Sequence, residues 1–360
     1  LLYINKIINN TEIYIFMKKF FLLMLAIAFS STNVLAQDAA SAETPDGWKK
    51  GGEGILNFSQ TNLRNWAEGG VNSTAATANL AVFADYKKDK LMWETDLRLV
   101  LGMIGTNNPT DPDDKTVFRK ADDVIDFDSK IGYRINKKVN WSALLEFDSQ
   151  IAKGFNFEDA AQPMISRFAA PGYLRFGTGI DYKPYEYLSI YFSPLTYKGI
   201  IVADEEIAAL GLYGLPNGDQ FKSEAGAYLK VGFKKDLIKN VSYTSTLELF
   251  SNYLATNFAQ KRDNITVTEG TNSELKNGVY VLSTEGRSQP QNVDVFWVNT
   301  FGFKVNKYIT ATLESTLKYD REVDVNANNI GADADGNTVQ VIDQGIQLKN
   351  FIGIGFTYKF

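Results

Sequence analysis

From about residue 53 onward, apolar and polar side chains alternate with a period of two. Leu91, Trp93, Thr95, Leu97, Leu99 and Leu101 share one face, and Glu94, Asp96 and Arg98 share the other. Ile125, Phe127, Ile131, Tyr133 and Ile135 oppose Asp126, Asp128, Lys130 and Arg134. Trp141, Ala143, Leu145 and Phe147 oppose Ser142, Glu146, Asp148 and Gln150, and Ala225, Ala227, Leu229, Val231 and Phe233 oppose Glu224, Tyr228 and Lys230. A strand places successive side chains on opposite faces, whereas a helix spaces its apolar residues three and four apart, so these segments predict strands.

Twelve strands are predicted, over 53–62, 72–87, 90–105, 121–135, 139–153, 172–183, 186–198, 221–234, 240–255, 291–305, 308–321 and 345–360. Most exceed the five or six residues usual in soluble sheets and reach the roughly 9–11 needed to cross a bilayer at a tilt. The connections alternate. Turns such as Lys87-Lys88-Asp89, Asn136-Lys137-Lys138, Pro184-Tyr185 and Asn306-Lys307 are short. Connections 106–120, 154–171, 199–220, 256–290 and 322–344 are long and rich in Asn, Asp, Gly and Pro. Long loops at one end, short turns at the other and an even strand count predict an all-β, antiparallel transmembrane β-barrel of about 12 strands, with short periplasmic turns and long extracellular loops.

Aromatic residues fit that picture. Tyr86, Trp93, Tyr133, Trp141, Tyr182, Phe233, Tyr243 and Tyr358 fall on the apolar face near the short turns, where an interfacial girdle belongs. The chain holds 24 Phe, 18 Tyr and 5 Trp, but no Cys and no His. That excludes disulfides, thiolate or histidine metal sites, and serine–histidine or cysteine catalysis. A formal charge of −5 also speaks against nucleic acid as a partner.

The N-terminal region reads as an address. Lys18 and Lys19 precede the apolar run Phe20–Phe29, and Val34-Leu35-Ala36 ends in a small-residue cleavage site before Gln37. The expected organisation is a non-native upstream leader over 1–16, a signal peptide over 17–36, a periplasmic segment over 37–52 and a barrel over 53–360. The first 36 residues hold three lysines and one glutamate, so cleavage would take the net charge from −5 to −7.

The segments Gly47-Trp48-Lys49-Lys50-Gly51-Gly52, Asn57 to Gly70 (with Trp66-Ala67-Glu68-Gly69-Gly70 the most specific), Ala84 to Lys88, Leu249 to Leu254 and Lys304 to Ile309 carry a likeness. Together they resemble a family of uncharacterised outer-membrane proteins of Bacteroidota-type bacteria, known only as a domain of unknown function. The resemblance implies an outer-membrane location and a barrel form, over nearly all of the mature chain, and assigns no chemistry. The amphipathic last strand closing on Phe360 resembles the recognition strand of bacterial outer-membrane proteins. Its implied partners are outer-membrane lipid and the barrel assembly machinery.

Three sets of residues are candidates for function. Asp96, Arg98, Asp126, Asp128, Lys130, Arg134, Glu146, Asp148, Arg175, Glu224, Lys230 and Glu248 are expected to line the lumen, together with Asp181, Lys304, Glu314 and Lys318. There they would either set a field that sorts solutes or pair with one another and fill the interior. Arg64, Trp66 and Glu68 form a candidate loop contact, with loop architecture as the favoured reading. Asp333, Asp335, Gly336 and Asn337, near Asp324, Asn326 and Asn328, offer oxygen ligands suited to calcium but lack the closing bidentate Glu, so a solvated loop is favoured. No cofactor is expected, and no enzymatic activity. The expected role is a narrow passive channel or transport component for small polar solutes. The alternative is a non-conducting structural or assembly subunit whose loops bind an unidentified protein. Loop 199–220 is too apolar to lie free in water and is expected to fold into the mouth or against a partner.

Overall fold

The computed structural model describes residues 46–61, 72–107, 116–157, 161–215, 218–254, 293–320, 323 and 346–360, and short strands at 266–267, 273–276, 279–282, 326–332 and 338–343. The signal-peptide region, the segment bearing Arg64, Trp66 and Glu68, and residues 333–337 lie outside the described residues.

Twelve antiparallel strands close into one barrel, each hydrogen-bonded to its neighbours in chain order and the first to the last. We number them β1 (Gly47–Thr61), β2 (Ser73–Lys88), β3 (Leu91–Asn107), β4 (Thr116–Arg134), β5 (Val139–Ser149), β6 (Gly172–Tyr185), β7 (Leu188–Ile201), β8 (Phe221–Ile238), β9 (Val241–Asn252), β10 (Val293–Lys304), β11 (Ile309–Tyr319) and β12 (Gln347–Lys359). Closure gives every strand two partners and removes the free edges that hydrocarbon cannot solvate. A short helix, α1 (Glu205–Ala209), lies in the β7–β8 connection.

Each expected strand has its counterpart, and several boundaries move: β4 begins at Thr116 rather than 121, and β8 runs to Ile238 rather than 234. β1 begins at Gly47, so residues 47–52 belong to the barrel wall rather than to a periplasmic segment. Gly47, Gly51, Gly52 and Gly54 interrupt the alternation there, but fifteen consecutive rungs to β2, from Gly47↔Lys87 to Thr61↔Ser73, hold the segment extended. β5 stops at Ser149 rather than at 153. Beyond it the Asp123 carboxylate accepts the Ile151 and Ala152 N–H groups at 2.7 and 2.8 Å, which draws the chain off the ladder.

The outer surface is apolar. Trp93, Tyr133, Trp141, Tyr182, Phe176, Ile352 and Ile354 all point away from the lumen and are exposed. Near the short turns Trp48 sits 5.1 Å from Tyr86 and 5.8 Å from Trp93 between ring centroids, and Phe233 lies 5.7 Å from Tyr243. These rings form the expected girdle, with Trp48 added to it.

Candidate functional site

Strand register places the expected lumen residues on the inner face. One row crosses six strands: Asp96, Asp128, Glu146, Arg175, Lys198 and Glu224 stand directly opposite one another from β3 to β8. Arg98, Asp126 and Asp148 form the adjacent row, and Lys230 faces Glu248 across β8 and β9. Arg134, near the β4–β5 turn, reaches the Met92 sulfur at 3.7 Å.

Some ion pairs follow the rungs, as Arg175–Glu146, Lys198–Glu224 and Lys130–Glu94 do, and others reach beyond neighbouring strands. Lys230 on β8 holds both oxygens of Asp128 on β4 at 3.0 Å and Glu146 on β5 at 2.5 Å. Arg175 binds Glu146 at 2.7 Å, Asp148 at 2.6 Å and Glu248 at 3.3 Å. Lys198 joins Glu224 and Asp294 at 2.9 Å each. Toward the short-turn end, Lys130 bridges Glu94 at 3.1 Å and Asp181 at 3.0 Å, and Lys183 also binds Glu94. Arg98 on β3 meets Glu314 on β11, with Nη2 at 3.1 and 2.8 Å from its two oxygens. Higher up, the Lys318 ammonium of β11 lies 4.9 Å from the centre of the Tyr173 ring of β6.

Burial along the inner face is uneven. Asn140, Ser142 and Glu146 of β5, Asp181 of β6, Tyr191, Ser193, Thr196 and Lys198 of β7, and Glu224 and Tyr228 of β8 are buried, and so are the inward Val100 of β3, Glu248 and Phe250 of β9, Thr310 and Glu314 of β11 and Thr357 of β12. Ala81 of β2, Asp96 of β3 and Thr244 of β9 also point inward yet are exposed. Water therefore reaches the inner face beside β2 and β3, and again at Thr244 near the short turns. Asp96 and Asp126 form no ion pair among the described residues. Burying so many charges would be prohibitive singly; multiple partners for Arg175 and Lys230 offset the desolvation.

The mouth opposite the short turns is capped. Ile200, Val202, Ile207, Ala208 and Leu215 pack with Ala170, Met164, Tyr173 and Tyr213, so loop 199–220 turns its apolar residues onto the neighbouring 161–171 segment. Tyr213 donates to the Ile165 carbonyl at 2.5 Å, Ala203 N–H donates to the Ala169 carbonyl at 2.8 Å, and Arg167 pairs with Asp204 at 2.8 Å. Asp204 also caps α1, accepting the Glu206 and Ile207 N–H groups at 3.1 Å. Burial pushes its carboxyl up, but the Ile207 N–H and then Arg167 outweigh that and hold it below its ordinary value. Burial, with a smaller push from Tyr173, raises the Tyr213 phenol.

An apolar exterior around a closed antiparallel ladder and a charged interior permit one setting. The chain is an outer-membrane β-barrel. Residues 58–155 match a family model described as Protein of unknown function (DUF3078). The match covers roughly a quarter of the chain. It takes in the Trp66 and Ala84–Lys88 segments but not 249–254 or 304–309. No curated protein matches the sequence. Among solved structures, the chain is similar to the COG4313 outer membrane channel from Pseudomonas putida F1 at 12% identity and a TM-score of 0.36, covering 91% of this chain and 100% of that one. It is also similar to the translocator domain of autotransporter NalP from Neisseria meningitidis at 8% identity and a TM-score of 0.34, covering 97% of each. The assignment rests on the barrel's own ladder and surface, not on these likenesses.

Several contributors to the lumen network were not singled out from sequence: Glu94, Lys183, Lys198, Asp294, Tyr173 and Tyr191. Alternation alone offered the signal for Glu94, which shares a face with Asp96 and Arg98. Tyr191 and Tyr173 carry no charge to mark them, and only register shows them pointing inward.

Proposed function

We propose that this barrel is a narrow passive channel for small polar solutes, whose path is a lane along the inner face of β2 and β3. The observation that carries the reading is that Ala81 and Asp96 on these two strands face inward and meet water, while Tyr228 of β8, across the lumen from them, is buried. A charged, water-accessible lane favours hydrated polar solutes over apolar ones. The Arg98–Glu314 pair bridges β3 and β11 inside the lumen as a bar beside that lane.

A second reading, a non-conducting subunit, draws on that same bar and on the Tyr173–Lys318 contact above it. Purified protein in a planar bilayer separates the two. The channel reading expects discrete conductance steps; a silent bilayer containing heat-modifiable, folded barrel overturns it.

A further inference from the structure

The wall of the barrel is not equally zipped all round. Between β1 and β12 the ladder runs only from Glu53↔Lys359 to Asn57↔Gly355, extended at the short-turn end by the reciprocal Gly52–Phe360 backbone pair. Above Asn57 the two strands part company. Phe58 to Thr61 stay paired to Ala76 to Ser73 of β2, and Ile354 to Phe351 stay paired to Ala311 to Glu314 of β11, but the four do not meet. Four rungs missing at about 3.3 Å per residue leave a seam about 13 Å long without ladder hydrogen bonds among the described residues, in the upper half of the wall. The upper edge of β4 also outruns β5, yet there the following segment covers it through Asp123 and Lys120, whose ammonium donates to the Ala152 carbonyl at 3.1 Å.

Two independent features mark the same seam. Of the buried side-chain atoms without a hydrogen-bond partner among the described residues, Asn57 Oδ1, Gln347 Nε2 and Thr357 Oγ1 belong to β1 and β12. Gly353 and Gly355 leave room for Asn57: a Cβ at Gly355 would stand 2.2 Å from Asn57 Oδ1, and one at Gly353 would stand 3.2 Å from Asn57 Cγ. The Asn57 side chain thus lies at the foot of the unladdered seam with its Oδ1 unpartnered among the described residues.

The linings on its two sides identify what passes. Outside, Phe58, Leu348, Ile352 and Ile354 are exposed to lipid. Inside, Phe351 of β12 faces the lumen opposite Glu314, and Phe296 of β10 faces it opposite Lys318 and is itself exposed. Inward-pointing aromatic rings, Phe296 exposed and Phe351 half-buried, have no use in a lane for hydrated solutes.

We infer that the β1–β12 seam is a lateral portal through which an amphipathic molecule with a hydrocarbon chain moves between the outer leaflet and the upper lumen, its chain resting against Phe351 and Phe296. This stands apart from conduction along the lane, and either can fail alone. The test uses a twelve-carbon fatty acid bearing a terminal diazirine, photolysed with the full-length protein in phosphatidylcholine vesicles. Adducts on Phe351 and Phe296 are expected, rising at least twofold in Asn57→Ala. Adducts confined to outward residues such as Leu348 and Ile352 overturn the portal. A second measurement does not need the probe. With no native cysteine, a nitroxide on Phe351→Cys reports its surroundings without background. Oxygen accessibility matching that of Ile352→Cys supports the portal, and nickel-chelate accessibility matching that of Thr244→Cys overturns it.

Discussion

Arg98 and Glu314 are 216 residues apart in sequence and four strands apart around the wall, yet one guanidinium nitrogen touches both oxygens of the carboxylate. Thr300 adds a hydroxyl to the same carboxylate at 3.3 Å. The pair is only partly buried, so it is a movable bar rather than a cemented one. In Glu314→Ala, single-channel conductance should rise while the barrel remains heat-modifiable. Unchanged conductance would place the constriction elsewhere.

Glu146 is the opposite case. It is fully buried and serves Arg175, Lys230 and the Tyr228 hydroxyl together. Removing one partner of a buried ion network strands the others, at about 3–5 kcal/mol. Glu146→Ala should therefore lower the unfolding midpoint in urea-and-lipid titrations, far more than Asp96→Asn does. Comparable losses would show that the buried part of the lumen is not a core.

The lipid face gives a third test. Leu97 and Leu99 alternate with Asp96 and Arg98 on β3 and point to the membrane. Leu97→Arg should cost about 2–4 kcal/mol, the range for a cation near the midplane of such a wall. Tolerance of that change would invert the face assignment.

Much of this was legible in the chain. Period-two alternation and the rhythm of turns located twelve strands and the inward face, because lipid outside and water inside enforce one pattern for the length of each strand. Who pairs with whom across the lumen was not legible. Lys230 and Asp128 lie 102 residues apart and meet only because the stagger of closed strands brings β8 and β4 to one height. The start of β1 was hidden for a different reason: its glycines carry no side chain to alternate, and only β2 keeps them extended. At the mouth, the apolar character of loop 199–220 foretold burial, while its occupant, the adjacent 161–171 segment, followed from the fold.

The cap at the mouth should respond to acid. Asp204 is held below its ordinary carboxylate value, so its contribution is present above the unfolded value near 3.9 and lost as the pH falls through the folded one. Pepsin should cut the 201–221 connection faster as the pH drops below about 4. Asp204→Ala, which also removes the cap of α1 at about 1 kcal/mol, should be cut readily across the whole range and flatten the response. An unaltered profile in that variant would remove Asp204 from the cap's stability.

Conduction after deletion of 203–212 tests whether the cap limits flow. Larger steps from an intact barrel would mean that it does. Steps of the original size would leave the Arg98–Glu314 bar as the limiting element.

The short ladder between β1 and β12 also bears on how the ring comes into being. Its partners, Glu53 with Lys359 through Asn57 with Gly355, are separated by about three hundred residues, the longest reach of any rung in the wall. Contacts of such separation form late, because the chain between them must first be ordered. Until residues 355–360 arrive, the other eleven strands amount to a curled sheet with two raw margins. Only a handful of rungs then convert it into a tube. The molecule is thus sealed by its narrowest join, and anything that borrows one of those margins during assembly competes with a very small number of hydrogen bonds.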